Sequence, residues 1–86
     1  MKKFELGQVV ATPSVIAALG YWPLELVARH QSGDWGDMDE EDMAANESAL
    51  DYGSRLFLSY KCGEETVWII TEANRSSTTI LLPSDY

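Results

Sequence analysis

From Arg55 to Leu82 the chain changes to a side-chain period of two, and this pattern constrains the fold more than any other feature. Arg55-Leu-Phe-Leu-Ser-Tyr-Lys61 and Thr66-Val-Trp-Ile-Ile-Thr-Glu72 are rich in β-branched and aromatic residues, and Cys62-Gly63-Glu64-Glu65 between them carries the glycine that a hairpin connection favours. Ala73-Asn74-Arg75-Ser76-Ser77 supplies a second turn into Thr78-Thr79-Ile80-Leu81-Leu82, which Pro83 ends. The pattern predicts a three-stranded antiparallel meander. A meander must bury its apolar face against something, so the preceding half of the chain has to provide a cover.

That half reads as one strand followed by helices. Phe4 to Val10 has strand character. Thr12 can cap a helix with Pro13 at its first position, and Val15, Ile16 and Leu19 form its apolar stripe before Gly20 stops it. A second short helix is expected from Pro23, with Leu24, Val27 and Ala28 on one side, ending near Gln31-Ser32. Gly33-Asp34-Trp35-Gly36-Asp37 has turn chemistry around a large aromatic residue. In the third helix Asp39 is the N-cap, Glu40-Glu41-Asp42 complement the positive end of the dipole, and Met38 and Met43 stand at staple positions. Met43, Asn46, Glu47 and Leu50 keep helical spacing, and Gly53 is the stop. The expected class is α+β: an N-terminal strand, two or three short helices, then the meander, with the helices on one face.

The middle strand poses a difficulty. Val67, Ile69 and Thr71 point one way and Trp68, Ile70 and Glu72 the other, with Phe57 and Leu81 extending the second face. Both faces are apolar. Either the first strand or the Tyr21-Trp22 joint folds over the second face, or two copies of the chain meet there as a homodimer.

With 86 residues the chain has room for one domain, and 45% hydrophobic residues supply a core without staples. Cys62 is its only cysteine, which excludes an intrachain disulfide and suits a reducing, cytoplasmic setting. Glu5, Gly7 and Gln8 interrupt any export-signal core, and the apolar runs are far shorter than the roughly 20 residues that span a bilayer. No membrane role is expected. Six basic and fourteen acidic residues give a formal charge of −8, which repels phosphate backbones and disfavours direct nucleic-acid binding.

Arg29-His30, Gly33-Asp34-Trp35-Gly36-Asp37, Glu41-Asp42, Asn46-Glu47, Arg55-Leu56, the run Trp68 to Pro83 and the terminal Asp85-Tyr86 together resemble a family of small "plasmid-related" proteins encoded on plasmids and integrating elements of bacteria. The resemblance covers nearly the whole chain. It implies a setting on a mobile element rather than an activity, because the family carries no assigned chemistry. Similar proteins tend to have Asp before the Arg-Ser pair. Asn74 stands there in this chain, which weakens any scheme needing a carboxylate at that point.

The acidic residues are gathered. No Lys or Arg lies between Arg29 and Arg55, whereas Asp34, Asp37, Asp39, Glu40, Glu41, Asp42, Glu47 and Asp51 supply eight of the fourteen carboxylates. Capping and the helix dipole account for Asp39 to Asp42. The functional reading is a binding surface for a protein partner with a basic surface, formed by Asp34, Trp35, Asp37, Asp39, Glu40, Glu41 and Glu47, with Trp35 as aromatic anchor. A sharper version is a mimic of nucleic-acid phosphates that inhibits a nucleic-acid-binding protein.

Other chemistry is poorly specified. An EF-hand beginning at Asp37 fails, because its sixth position is Asp42 instead of Gly and its twelfth is Ser48 instead of Glu. His30 is the sole histidine, which excludes a multi-histidine metal site; the end of a helix suits its charge, and the catalytic alternative is a small hydrolase or nuclease-like site using His30 with Asp34, Glu72 or Arg75. Cys62 is followed by Glu64 and Glu65, which disfavour a thiolate. Ser14, Ser76 and Ser77 lack a nucleophile-elbow pattern, and Gly33 and Gly36 lack the ending of a phosphate loop. No cofactor or metal is called for, and binding ranks above catalysis.

Overall fold

The computed structural model describes residues 4–34, 36 and 39–86, and among them the period-two segments form the predicted meander. Strands β2 (Leu56–Cys62), β3 (Glu65–Thr71) and β4 (Ser77–Leu81) are successively antiparallel. β1 (Gln8–Ala11) adds to β4 in parallel, giving one mixed sheet of order β1-β4-β3-β2. The class is α+β, as the sequence implies.

The first strand is shorter than expected. Gly7 has φ 67°, and a Cβ there would collide with the backbone of Ser76, so the chain turns before the ladder starts. Phe4 and Leu6 pack their side chains against the core instead of pairing.

Helix α1 (Pro13–Leu19) begins as predicted: Thr12 Oγ1 accepts the Val15 N–H at 3.3 Å, Pro13 occupies the first turn, and Gly20 closes the helix. Helix α3 (Glu40–Tyr52) begins where Asp39 Oδ1 accepts the Asp42 N–H at 2.8 Å and ends at Gly53. The expected staple involves Met38, which lies outside the described residues. Helix α2 (Leu24–Gln31) buries Leu26, Val27 and His30 instead of Leu24, Val27 and Ala28. Pro23 is itself fully buried and fills the core position expected of Leu24, which stands 68% exposed.

One sheet face makes the core. Register places Leu58, Ile69 and Ile80 in one row and Leu56, Thr71 and Thr78 in another, and Val15, Leu26 and Val27 close over them. Each fully buried Leu or Ile stabilises the fold by roughly 1.5–3 kcal/mol. α3 lends Ala49 to that core and runs beside β2 at the edge of the sheet. There Asn46, buried on α3, donates Nδ2–H to the Phe57 carbonyl and accepts the Phe57 N–H at 3.0 Å. Gly36 forms an isolated parallel bridge to Ser59 on the same strand. In an antiparallel ladder, alternate residues of an edge strand turn both backbone groups outward. At Phe57 and Ser59 the chain covers those groups itself.

The second apolar face is covered by neither segment expected to do so. β1 lies in the plane of the sheet, and Tyr21 and Trp22 stand 57% and 46% exposed at the α1–α2 joint. The cover is the C-terminus. A 3-10 turn, Pro83–Asp85, brings Tyr86 edge-on to Trp68 at 5.8 Å, and Trp68 meets Phe57 at 5.0 Å. Asp85 Oδ2 accepts from the Thr12 hydroxyl at 2.7 Å and the Leu82 N–H at 3.0 Å, which fastens the turn to the start of α1. Beneath it Ile70 and Leu81 are buried.

Candidate acidic binding surface

Asp34 and Gly36 are held by a pair from other elements, Arg29 of α2 and Tyr60 of β2. The Arg29 guanidinium lies 4.4 Å from the Tyr60 ring centroid and grips Asp34 with both arms, Nε to Oδ2 at 2.8 Å and Nη2 to Oδ1 at 3.3 Å. Asp34 Oδ1 also accepts the Gly36 N–H at 3.1 Å, and the buried Tyr60 hydroxyl donates to the Asp34 carbonyl. The Arg29 hydrogen bonds, aided by the Gly36 amide and the nearby cationic charge, hold the Asp34 carboxyl below its ordinary range. Gly36, at φ 70°, presses so closely on the Tyr60 ring that a Cβ would overlap it. Only glycine meets both demands. Asp34 thus fixes the amide of Gly36, and its charge is balanced by Arg29.

The remaining predicted residues divide cleanly. Asp39, Glu40, Glu41 and Glu47 are exposed on or beside α3, with Asp42 and Asp51 exposed on the same helix. Trp35 and Asp37 lie outside the described residues. No basic residue occurs in α3 or its last turn. The Asp42 carboxyl is pushed up from its ordinary value, first by the negative charge of Asp39 and also by Glu41. The helix carries no cation of its own beside these carboxylates. Between α3 and β2 a cleft of about 300 Å³ is lined by Asp42, Ala45, Asn46, Arg55 and Phe57.

Arg75, which the sequence places in the turn before β4, holds the other end of α3. Although not glycine it has φ 60°, and from that turn Nη2 donates to the Ala49 carbonyl at 3.2 Å and Nη1 to the Ser54 carbonyl at 2.6 Å. Its guanidinium caps the helix C-terminus, where unpaired carbonyls and the negative dipole end favour a cation. Asn74 Oδ1 accepts the Ser76 N–H at 3.0 Å, an acceptor role that a carboxylate would fill equally well.

His30 stands in the last turn of α2, as expected, but fills neither role considered for it. Its ring is fully buried, edge-on to Phe4, and Nε2 lies 2.7 Å from the Thr71 hydroxyl. Thr71 is 2.8 Å from Thr78, whose hydroxyl donates to the Leu6 carbonyl at 2.8 Å. A carbonyl can only accept, so the chain of donors runs from His30 Nε2–H through Thr71 and Thr78 to Leu6. Burial first, and the charge of Arg75 second, lower the His30 pKa to about 3. The imidazole is neutral at physiological pH and does not serve as a cation on the helix dipole. Asp34 is turned to Arg29, and Glu72 pairs with Arg55 at 3.8 Å, so neither carboxylate orients His30.

Sequence reasoning missed Arg29, Tyr60, Asn46 and Arg75 as the residues that fix this surface. Asn46 had a legible signal, since an amide occupied a position in phase with Met43 and Leu50. Among the described residues no group of three or more His, Cys, Asp and Glu is arranged to hold a metal ion, and no helix is long and apolar enough to cross a membrane. Compared with known proteins, the chain matches no family model, no curated protein and no solved structure.

Proposed function

We propose that the protein is a non-catalytic binding module that offers the acidic start of α3, with the loop before it, to the basic surface of a protein partner. The carrying observation is the crowding of like charge where exposed Asp39, Glu40, Glu41 and Asp42 follow one another at the start of a helix without basic residues. A cationic partner would relieve it, so complex formation gains energy that folding leaves unused. The geometry also supplies rigidity: the helix is capped at one end by Asp39 and at the other by Arg75, and fixed at its middle by Asn46. Fixed carboxylate spacing is what a phosphate mimic needs, so the partner class is a nucleic-acid-binding protein that the module inhibits, in keeping with a setting on a bacterial mobile element.

The test is capture of partners from bacterial extract, followed by measurement of affinity against salt. Neutralising Asp34, Asp37, Glu40 and Glu41 together is expected to abolish capture, and the wild-type affinity is expected to fall steeply as salt rises. Affinity that is the same at low and high salt would refute the reading. A catalytic role for His30 gains no support from its position, because the ring is sealed between Phe4 and the core and its Nε2 is engaged.

A further inference from the structure

The two edges of the sheet are treated differently by the chain. On β2 the outward groups of Phe57 and Ser59 meet Asn46 and Gly36. On β1, Gln8 donates its N–H to Ser76 and Thr12 donates its N–H to Ile80, both at 3.0 Å, which fixes the phase of the strand. Residues 8, 10 and 12 therefore turn their backbone groups toward β4, and Val9 and Ala11 turn theirs away from the sheet. Among the described residues nothing pairs with that outer edge. An exposed strand edge is a template for another strand.

We infer that this edge pairs antiparallel with β1 of a second copy, Val9 opposite Ala11 of the second copy and Val10 opposite Val10 across the two-fold axis. The register is self-complementary: Val9 and Ala11 both face outward, so each exchanges hydrogen bonds with the other's counterpart, and Val10 falls at the close, non-hydrogen-bonded position. Val10 is 40% exposed on the face it shares with Ile70 and Thr79, so its partner would continue an existing apolar row.

Charge identifies the occupant as the chain itself. A molecule of net charge −8 repels its own copies over most of its surface, yet no charged residue lies between Glu5 and Glu25. β1 and α1 sit wholly inside that neutral stretch. The carboxylate bonded to this stretch is Asp85, held on the Thr12 hydroxyl at the end of β1, so two copies meet along a strand that carries no charge of its own and offers a basic partner little to attract it.

The experiment is molar mass by sedimentation equilibrium over a wide range of protein concentration. The wild-type mass is expected to rise with concentration from 9.6 kDa toward twice that value. Salt is expected to strengthen the association by screening repulsion between the two acidic chains, opposite to its effect on capture of a basic partner. Val10→Lys and Val10→Glu each place like charges against each other on the axis and are expected to stay at 9.6 kDa, whereas their equimolar mixture regains the doubled mass. Val9→Pro removes an outward N–H and no hydrogen bond to β4, exchanging one apolar side chain against the core for another, which keeps the fold testable if a charge at Val10 proves disruptive, and is likewise expected to be monomeric. A wild-type chain monomeric at every concentration, a dimeric V9P or V10K, or a mixture that remains at 9.6 kDa overturns the inference. So does a monomeric chain whose β1 takes up a strand from another protein.

Discussion

Asn46 and Phe57 form a closed pair in which one side-chain amide satisfies both the N–H and the C=O of a residue on the edge strand. The amide imitates the backbone of an absent fifth strand. It also sets the height at which the acidic helix lies against the sheet.

Asn46→Ala is therefore expected to lower stability by about 1–3 kcal/mol, since it strips the partner from two backbone groups at a buried position. Asn46→Asp keeps an acceptor for the Phe57 N–H but sets a carboxylate against the Phe57 carbonyl, so it is expected to be no better than alanine. Urea unfolding midpoints of the three proteins check both statements.

A second expectation concerns pH. In the unfolded chain His30 takes up a proton near its ordinary pKa of 6.5, and in the folded protein only near 3. Between those values the unfolded state holds the extra proton, so stability is complete above 6.5 and is lost as pH falls toward 3. The slope from this one group approaches about 1.4 kcal/mol per pH unit. His30→Gln, whose amide can still donate to Thr71, is expected to flatten the slope over that window, which unfolding measured as a function of pH will reveal.

Replacing Arg75 by Lys retains the charge but loses the fork that reaches Ala49 and Ser54 together. Stability is expected to fall by about 1–2 kcal/mol. Amide hydrogen exchange should quicken first in the last turn of α3. Uniform acceleration across the sheet would contradict the capping role.

Asp42→Asn removes a carboxylate whose proton affinity is raised chiefly by Asp39. The thermal midpoint is expected to rise at low salt, with the gain fading as salt is added. Partner capture is expected to weaken in the same variant. A loss of stability would show that the helix dipole outweighs the repulsion.

Period-two alternation and turn residues were enough to locate β2, β3 and β4, and Thr12, Pro13, Asp39 and Gly53 marked helix ends through local hydrogen bonding that a sequence displays directly. What remained hidden depends on distant partners. Nothing adjacent to Arg75 announces that it will reach the carbonyls of Ala49 and Ser54, and nothing beside Arg29 announces that Tyr60 will set an aromatic face against it. The role of His30 was hidden for the same reason: its place at the end of α2 could be read from the sequence, but its acceptor lies 41 residues away on β3. Of the acidic surface the charges were legible and the supports were not. The cover of the second sheet face was missed because it comes from Pro83 to Tyr86, too short a segment to carry any periodicity.

The attachment of α3 has a consequence for how such a surface can be remodelled. Its hold on the body rests on Asn46, Ala49 and the Arg75 cap, with Met43 and Leu50 half-buried, while its carboxylates occupy positions on which no core side chain depends. Apart from the Asp39 cap, the pattern of charge on α3 can be exchanged residue by residue with the scaffold left intact.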